Sequence, residues 1–255
     1  MLKHRVIPVL LIKNNGLVKT VNFKKEKYVG DPINAIKIFN EKEVDELVLL
    51  DISASKNLSG PNYRKIEEVV SECFMPLCYG GGVTNINEFG DVLSIGVEKV
   101  SLNHGILEDT RLISEAADKF GVQSVVVSID IKKNLFGKYK VFSHCKGKIS
   151  QYDPLEFAAT IENAGAGEIL LNVVDRDGLM QGYDVQIIRD IADKVNVPLI
   201  ACGGAGKIED IVECIQDGKA SAAAAGSMFV FHGKHKAVLI SYPNYKELEE
   251  RLNRF

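Results

Sequence analysis

The sequence predicts one α/β domain over residues 1–255, a (β/α)8 or TIM barrel made of two similar halves, about 1–122 and 123–255. Three observations carry this. Two glycine clusters lie 122 residues apart, so that Pro76, Leu77, Gly81 and Gly82 recur as Pro198, Leu199, Gly203 and Gly204. The same offset carries Glu46 onto Glu168, Leu49 onto Leu171, Gly96 onto Gly218 and Ser55 onto Asp177. Eight short apolar runs recur along the chain, nearly all followed by an amphipathic segment. Two extended loops, 13–30 and 132–152, correspond at an offset of 119. Eight such units in about 250 residues match a closed barrel. A doubly wound open sheet seldom needs eight equal units and gives no reason for a half-chain repeat.

The elements follow in order. The first strand is read at 6–11, and the basic loop 13–30 follows it. A helix over 31–41 opens on Asp31, a helix-start residue. Strands at 46–51, 76–79 and 99–102 alternate with helices at 62–73, 85–94 and 109–120, which open on Asn62, Asn85 and Asp109. The fifth strand is 124–130, and the second long loop after it reads as a small hairpin. Helices at 154–164, 184–195 and 207–217 then alternate with strands at 168–173, 198–201 and 221–225. Most strands are continuous apolar runs, as parallel strands covered on both faces must be. In such barrels the loops after the strands line the active face, and long ones there usually act as lids.

Bulk composition narrows the function. The net charge of −3 leaves no basic footprint for nucleic acid. No apolar run reaches the ~18 residues of a membrane span, and the opening Met1–Pro8 stretch is too short and broken for a signal peptide. Five cysteines without a C-x-x-C pair read as reduced thiols of a cytoplasmic protein, with no metal and no cofactor expected.

Glycines at the ends of strands three and seven let backbone N–H groups approach an anion closely, and the following helices add their positive ends. Gly81, Gly82, Gly203 and Gly204 are therefore candidate phosphate ligands, joined by Asn103 and by Gly226 and Ser227 at the ends of strands four and eight. Tight turns are the competing reading of each cluster alone. Two clusters in register favour an elongated ligand with an anionic group at each end. Asp130 closes strand five, where a carboxylate costs free energy unless it has a partner or a task such as proton transfer. Its counterpart by repeat is Leu11, which moves no proton. Asp51 and Asp175 serve either function or loop capping. Arg5, Glu46, Lys99 and Glu168 stand at strand starts, where apolar layers normally close a barrel. They form either a surface salt-bridge cluster or a charged gate to the barrel axis.

Along its whole length the chain resembles the cyclase (HisF) subunit of imidazole glycerol phosphate synthase. The matching motifs include Asn22-Phe23, Gly30-Asp31-Pro32, Leu50-Asp51-Ile52, Gly80-Gly81-Gly82, Asp175-Arg176-Asp177-Gly178 and Gly203-Gly204-Ala205-Gly206. The resemblance implies a HisH-like glutaminase on the N-terminal face and ammonia entering through the Arg5, Glu46, Lys99 and Glu168 ring. It also implies a phosphorylated substrate at the mouth, a ribulose-bearing bisphosphate in the family, with Lys19, Asp177 and Gly178 close to it.

Several residues depart from the family pattern. The strand-one aspartate that pairs with the counterpart of Asp130 is replaced by Leu11. Asn172 stands where threonine is usual, and His144-Cys145 and Ser150-Gln151 replace smaller residues. Glu98 replaces an aspartate at the partner-facing edge. Loss of one proton-transfer group costs roughly two to four powers of ten in rate where proton transfer limits. The departures resemble a divergent branch encoded with surface-polysaccharide genes. There a glutaminase–cyclase pair feeds ammonia to a separate sugar amidotransferase acting on an N-acetyl sugar. A cyclase/lyase of histidine biosynthesis and a non-catalytic activator of the glutaminase are the alternatives.

Overall fold

The computed structural model describes residues 4–252, so the ends of the expected 1–255 span, including the first residues of the opening segment, lie outside it. Eight parallel strands form the barrel: β1 (Arg5–Lys13), β2 (Leu47–Asp51), β3 (Leu77–Gly80), β4 (Lys99–Leu102), β5 (Val125–Lys133), β6 (Glu168–Val173), β7 (Leu199–Cys202) and β8 (Ala222–Ala225). Each pairs with the next, and β8 returns to β1, closing the ring. Helices α1 (Pro32–Glu41), α2 (Tyr63–Val70), α3 (Ile86–Ser94), α4 (Arg111–Phe120), α5 (Pro154–Asn163), α6 (Val185–Ala192), α7 (Ile208–Gln216) and α8 (Tyr245–Leu252) follow the strands in turn.

Successive strand residues point to opposite faces, so the barrel has two apolar layers. Outward residues such as Val6, Leu10, Leu47, Leu49, Val125, Val127 and Ile129 pack beneath the helices. Inward residues Ile7, Val9, Val48, Cys78, Val126, Leu170, Ile200, Cys202, Ala222 and Ala224 fill the lumen, with Leu11 and Leu50 above them. This double burial explains why the strands read as continuous apolar runs.

The repeat extends to helix caps. Asp31 and Asp153, at the 122-residue offset, both accept backbone N–H bonds ahead of a proline at the first helical position. Glu88 and Asp210 are likewise equivalent. Glu88 takes the N–H of Thr84 at 2.7 Å, and Asp210 takes those of Gly206 and Lys207 at 2.8 and 3.1 Å.

Both long loops are antiparallel hairpins. The second was expected to be one, and it pairs Val125–Lys133 with Tyr139–Ser143. The first was read as an extended loop; here β1 runs on to Lys13 and folds back as Gly16–Val21, followed by Lys24–Gly30. The turn is Asn14-Asn15, both with positive φ, 49° and 66°, the geometry of a two-residue hairpin turn that asparagine tolerates.

Gly82 and its repeat counterpart Gly204 have a packing reason. A Cβ on Gly82 would lie 2.5 Å from the carbonyl carbon of Gly60, and one on Gly204 2.2 Å from the carbonyl oxygen of Gly182. Both have positive φ, +77° and +121°. Gly82→Ala and Gly204→Ala are each expected to lower stability by at least about 1–3 kcal/mol in urea unfolding. Gly105→Ala, where a Cβ meets nothing within 4 Å, should stay within about 0.5 kcal/mol of the parent. Equal effects at all three positions would contradict the packing account.

Candidate functional site

The barrel axis carries three chemically distinct levels. At the N-terminal end Arg5, Glu46, Lys99 and Glu168 alternate in sign and close a ring. Arg5 pairs with Glu46 and, at 2.8 Å, with Glu168; Lys99 reaches Glu46 at 3.0 and 3.1 Å and Glu168 at 3.0 Å. The side chains are 25%, 3%, 17% and 13% exposed in the order Arg5, Glu46, Lys99, Glu168, so these charges are largely withdrawn from water. Burial works against the Arg5 charge, but Glu168 and Glu46 hold its pKa above the ordinary value. Glu98 is exposed at the same end, beside Lys99.

Above the ring lies the apolar lumen. Two thiols face it, and burial raises the pKa of both, Cys202 to about 12, so both are neutral there. The small side chains of Ala222 and Ala224 line the β8 side of the same level.

At the C-terminal end the lumen opens into a cavity of about 350 Å³. Both glycine clusters border it, together with Leu11, Lys19, Asn103, Asp130, Asn172, Asp177, Gly178, Gly226 and Ser227. The expected mouth residues thus come together in one cavity. Lys19 comes from the first hairpin and is buried; its Nζ donates to the carbonyl of Val9 and lies over Gly226, where a Cβ would meet it at 2.3 Å. Burial depresses its pKa from 10.5 to about 8, a fall partly offset by the nearby Asp177 carboxylate.

The anion-binding details differ from expectation. At the start of α3 the N–H groups of Asn87 and Glu88 go to the Asn85 side chain, and the Gly82 N–H donates to the Ser55 hydroxyl at 3.3 Å, so this end is less open to an anion than the spacing implied; ahead of α7, Asp210 takes the N–H groups of Gly206 and Lys207. Asn103 spends its amide on the Ser128 carbonyl at 2.9 Å and on Asp130 Oδ2 at 3.1 Å. Asp177 accepts from the Thr20 hydroxyl at 2.8 Å and the Phe23 N–H at 3.3 Å, and a Cβ on Gly178 would lie 2.1 Å from the Thr20 carbonyl oxygen. Asp177 and Gly178 therefore fasten the first hairpin over the mouth. Asp51 caps Ser53 and Ala54, and Asp175 accepts from the Lys133 N–H, so both serve loop hydrogen bonding. Asn172 differs: its buried Oδ1 has no partner and borders the cavity, which suits a ligand donor.

Sequence reasoning noted His144 only as a substitution. The second hairpin brings its Nδ1 to 3.1 Å from Asn103 Oδ1 and 3.7 Å from Asp130 Oδ2, with Cys145 Sγ 3.3 Å from Nε2. A polar chain thus runs from Asp130 into the hairpin. Only the hairpin register creates this contact, and no local motif signals it.

The histidine biosynthesis protein family model matches residues 5–236. The chain belongs to this family. Within the family, a provisionally named imidazole glycerol phosphate synthase subunit hisF2 of Pseudomonas aeruginosa is 56% identical over 98% of this chain and 99% of its own length. A provisional subunit hisF3 of Vibrio vulnificus is 51% identical over 99% of this chain and 97% of its own, and a provisional HisF subunit of Leptospira borgpetersenii is 48% identical over 98% of each. The barrel is HisF-like throughout. No described helix is long and apolar enough to cross a membrane.

If Lys19 helps hold an anion in this HisF-like mouth, inorganic sulfate affinity, measured by calorimetry, falls as pH rises through about 8 and the ammonium charge is lost. Lys19→Met should bind more weakly at pH 7 and lose that pH dependence. An unchanged profile in the variant would remove Lys19 from the site.

Proposed function

We propose that this chain receives ammonia from a HisH-like glutaminase seated on its N-terminal face, passes it along the barrel axis, and supplies it for amidation of an N-acetyl sugar in surface-polysaccharide synthesis. The observation that carries the reading is Leu11. It borders the cavity that holds Asp130, at the place where the resemblance implies a second carboxylate. A barrel that delivers ammonia tolerates leucine there; ring closure by two carboxylates does not.

The axis supports the delivery half. A buried ion cluster is weak stabilisation, because desolvation offsets most of the Coulomb gain, so four such charges across a barrel floor favour a task beyond folding. Neutral ammonia is compatible with the apolar, thiol-lined lumen above them. Phe74 and Val122 are exposed on the same N-terminal side, 84% and 53%, and with Glu98 give the glutaminase apolar anchors and a polar edge.

A second reading is the cyclase/lyase reaction of histidine biosynthesis, forming imidazole glycerol phosphate and an aminoimidazole carboxamide ribotide. It is favoured by the mouth, which keeps both glycine clusters, Lys19 and Asp130 around one cavity. A purely activating role for the glutaminase leaves that cavity without a use.

Growth of a strain lacking its histidine cyclase separates these readings. The parent chain, expressed with its glutaminase, is expected to fail to restore growth, and Leu11→Asp to restore it at least in part. Rescue by the parent chain would overturn the sugar reading. For the floor, Glu46→Gln removes counter-charge from Arg5 and Lys99. Glutamine-driven amidation should fall while amidation driven by added ammonium salt holds. Equal rates from both nitrogen sources in parent and variant would contradict a gate.

A further inference from the structure

The cavity does not account for the face around it. Three hairpins rise on the C-terminal side, one after β1, one after β5, and a short one pairing Phe231–His232 with Ala237–Val238. Segments 13–30, 132–152 and 231–241 hold thirteen lysines and one glutamate, in a chain whose net charge is −3. Only Lys19, Lys24 and Lys132 of these thirteen border the cavity. Lys25, Lys138, Lys148, Lys234 and Lys236 are exposed and have no ion pair among the described residues. A small anionic substrate inside the cavity leaves these outer charges unused.

Apolar side chains share the rim. Leu135 and Phe136 form the tip of the second hairpin, with Leu135 fully exposed and Phe136 87% exposed. Tyr28, Leu58, Val238 and Leu239 are exposed on three other strand-following loops. The hairpins also brace one another: Phe23 and Phe142 join the first to the second at 6.3 Å, and Lys27 donates to the Lys236 carbonyl and lies over Phe231, joining the first to the third. Leu135 and Phe136, adjacent at the hairpin tip and bordered by Lys138, unpaired among the described residues, are an exposed apolar pair with a charged rim, the pattern of a protein interface.

We infer that this rim docks the ammonia-accepting sugar amidotransferase, through an acidic surface of that enzyme with an apolar pocket for Leu135 and Phe136. The inference rests on the proposed function, because only delivery to a second enzyme requires a partner over the mouth. Charge complementarity selects the acidic partner and speeds encounter. Seating the acceptor on the rim shuts water out of the exit, so ammonia passes on without being protonated and lost.

The test uses the full chain with its glutaminase and the sugar amidotransferase. Leu135→Ser with Phe136→Ser, and separately Lys138→Glu with Lys148→Glu, change exposed side chains outside the cavity. Each pair is expected to weaken the three-component complex by at least about ten-fold. Glutamine-driven amidation falls with it, while glutaminase binding and amidation from added ammonium salt hold. Unchanged complex affinity in both pairs overturns the docking inference. So does tip-dependent sedimentation with phosphatidylcholine vesicles containing phosphatidylglycerol, without binding to the amidotransferase. If the amidotransferase binds the rim but no glutamine nitrogen reaches the sugar, the delivery reading fails and the docking face stands. If delivery proceeds equally in parent and variants, the docking face fails and delivery stands.

Discussion

Closure of eight parallel strands, completed where β5 pairs with β6, is the constraint on which the rest of this molecule depends. Closure leaves no sheet edge and sends every second strand residue into one narrow axis. Whatever stands at a given height must suit its neighbours around the ring. The chain meets this with charges that alternate at the floor, apolar and thiol side chains in the middle, and polar groups only where the lumen widens. Asp130 and Asn172 lie side by side across the closing pair, so the same register that shuts the barrel also builds the mouth.

Much of this was legible in the sequence because strand patterning is local and the repeat keeps one spacing of 122 residues from Asp31 through the first glycine cluster. Continuous apolar runs located the eight strands, and the 122-residue offset matched Gly82 to Gly204 before any contact was known. The charged floor was readable from residue type at strand starts, since Arg5, Glu46, Lys99 and Glu168 break an otherwise apolar pattern. What stayed hidden depends on tertiary register. The link from Asp130 through Asn103 to His144 crosses two strands and a hairpin, and nothing near His144 in sequence reports it. The first hairpin carries a local turn signal in Asn14-Asn15-Gly16, but its strands, rich in lysine, lack the apolar alternation that marks a strand in sequence.

The glycine pairs show how one residue serves two ends. Gly82 and Gly204 are fixed by backbone packing against Gly60 and Gly182, so the clusters would be required even without a ligand. Asn85 on the first N–H groups of α3, and Asp210 on the Gly206 and Lys207 N–H groups ahead of α7, leave fewer free backbone donors for an anion beside the clusters. The two halves thus share the glycine framework around one cavity while differing at Leu11 and Asp130, which both line it.

The central claim, delivery of ammonia without ring closure, is tested most directly by following labelled nitrogen from the glutamine amide. The assembled complex would be given both the ribulose-bearing bisphosphate and the N-acetyl sugar acceptor. The account predicts label in the amidated sugar and none in an imidazole product. Label accumulating in the imidazole ring, with Leu11 in place, would contradict it.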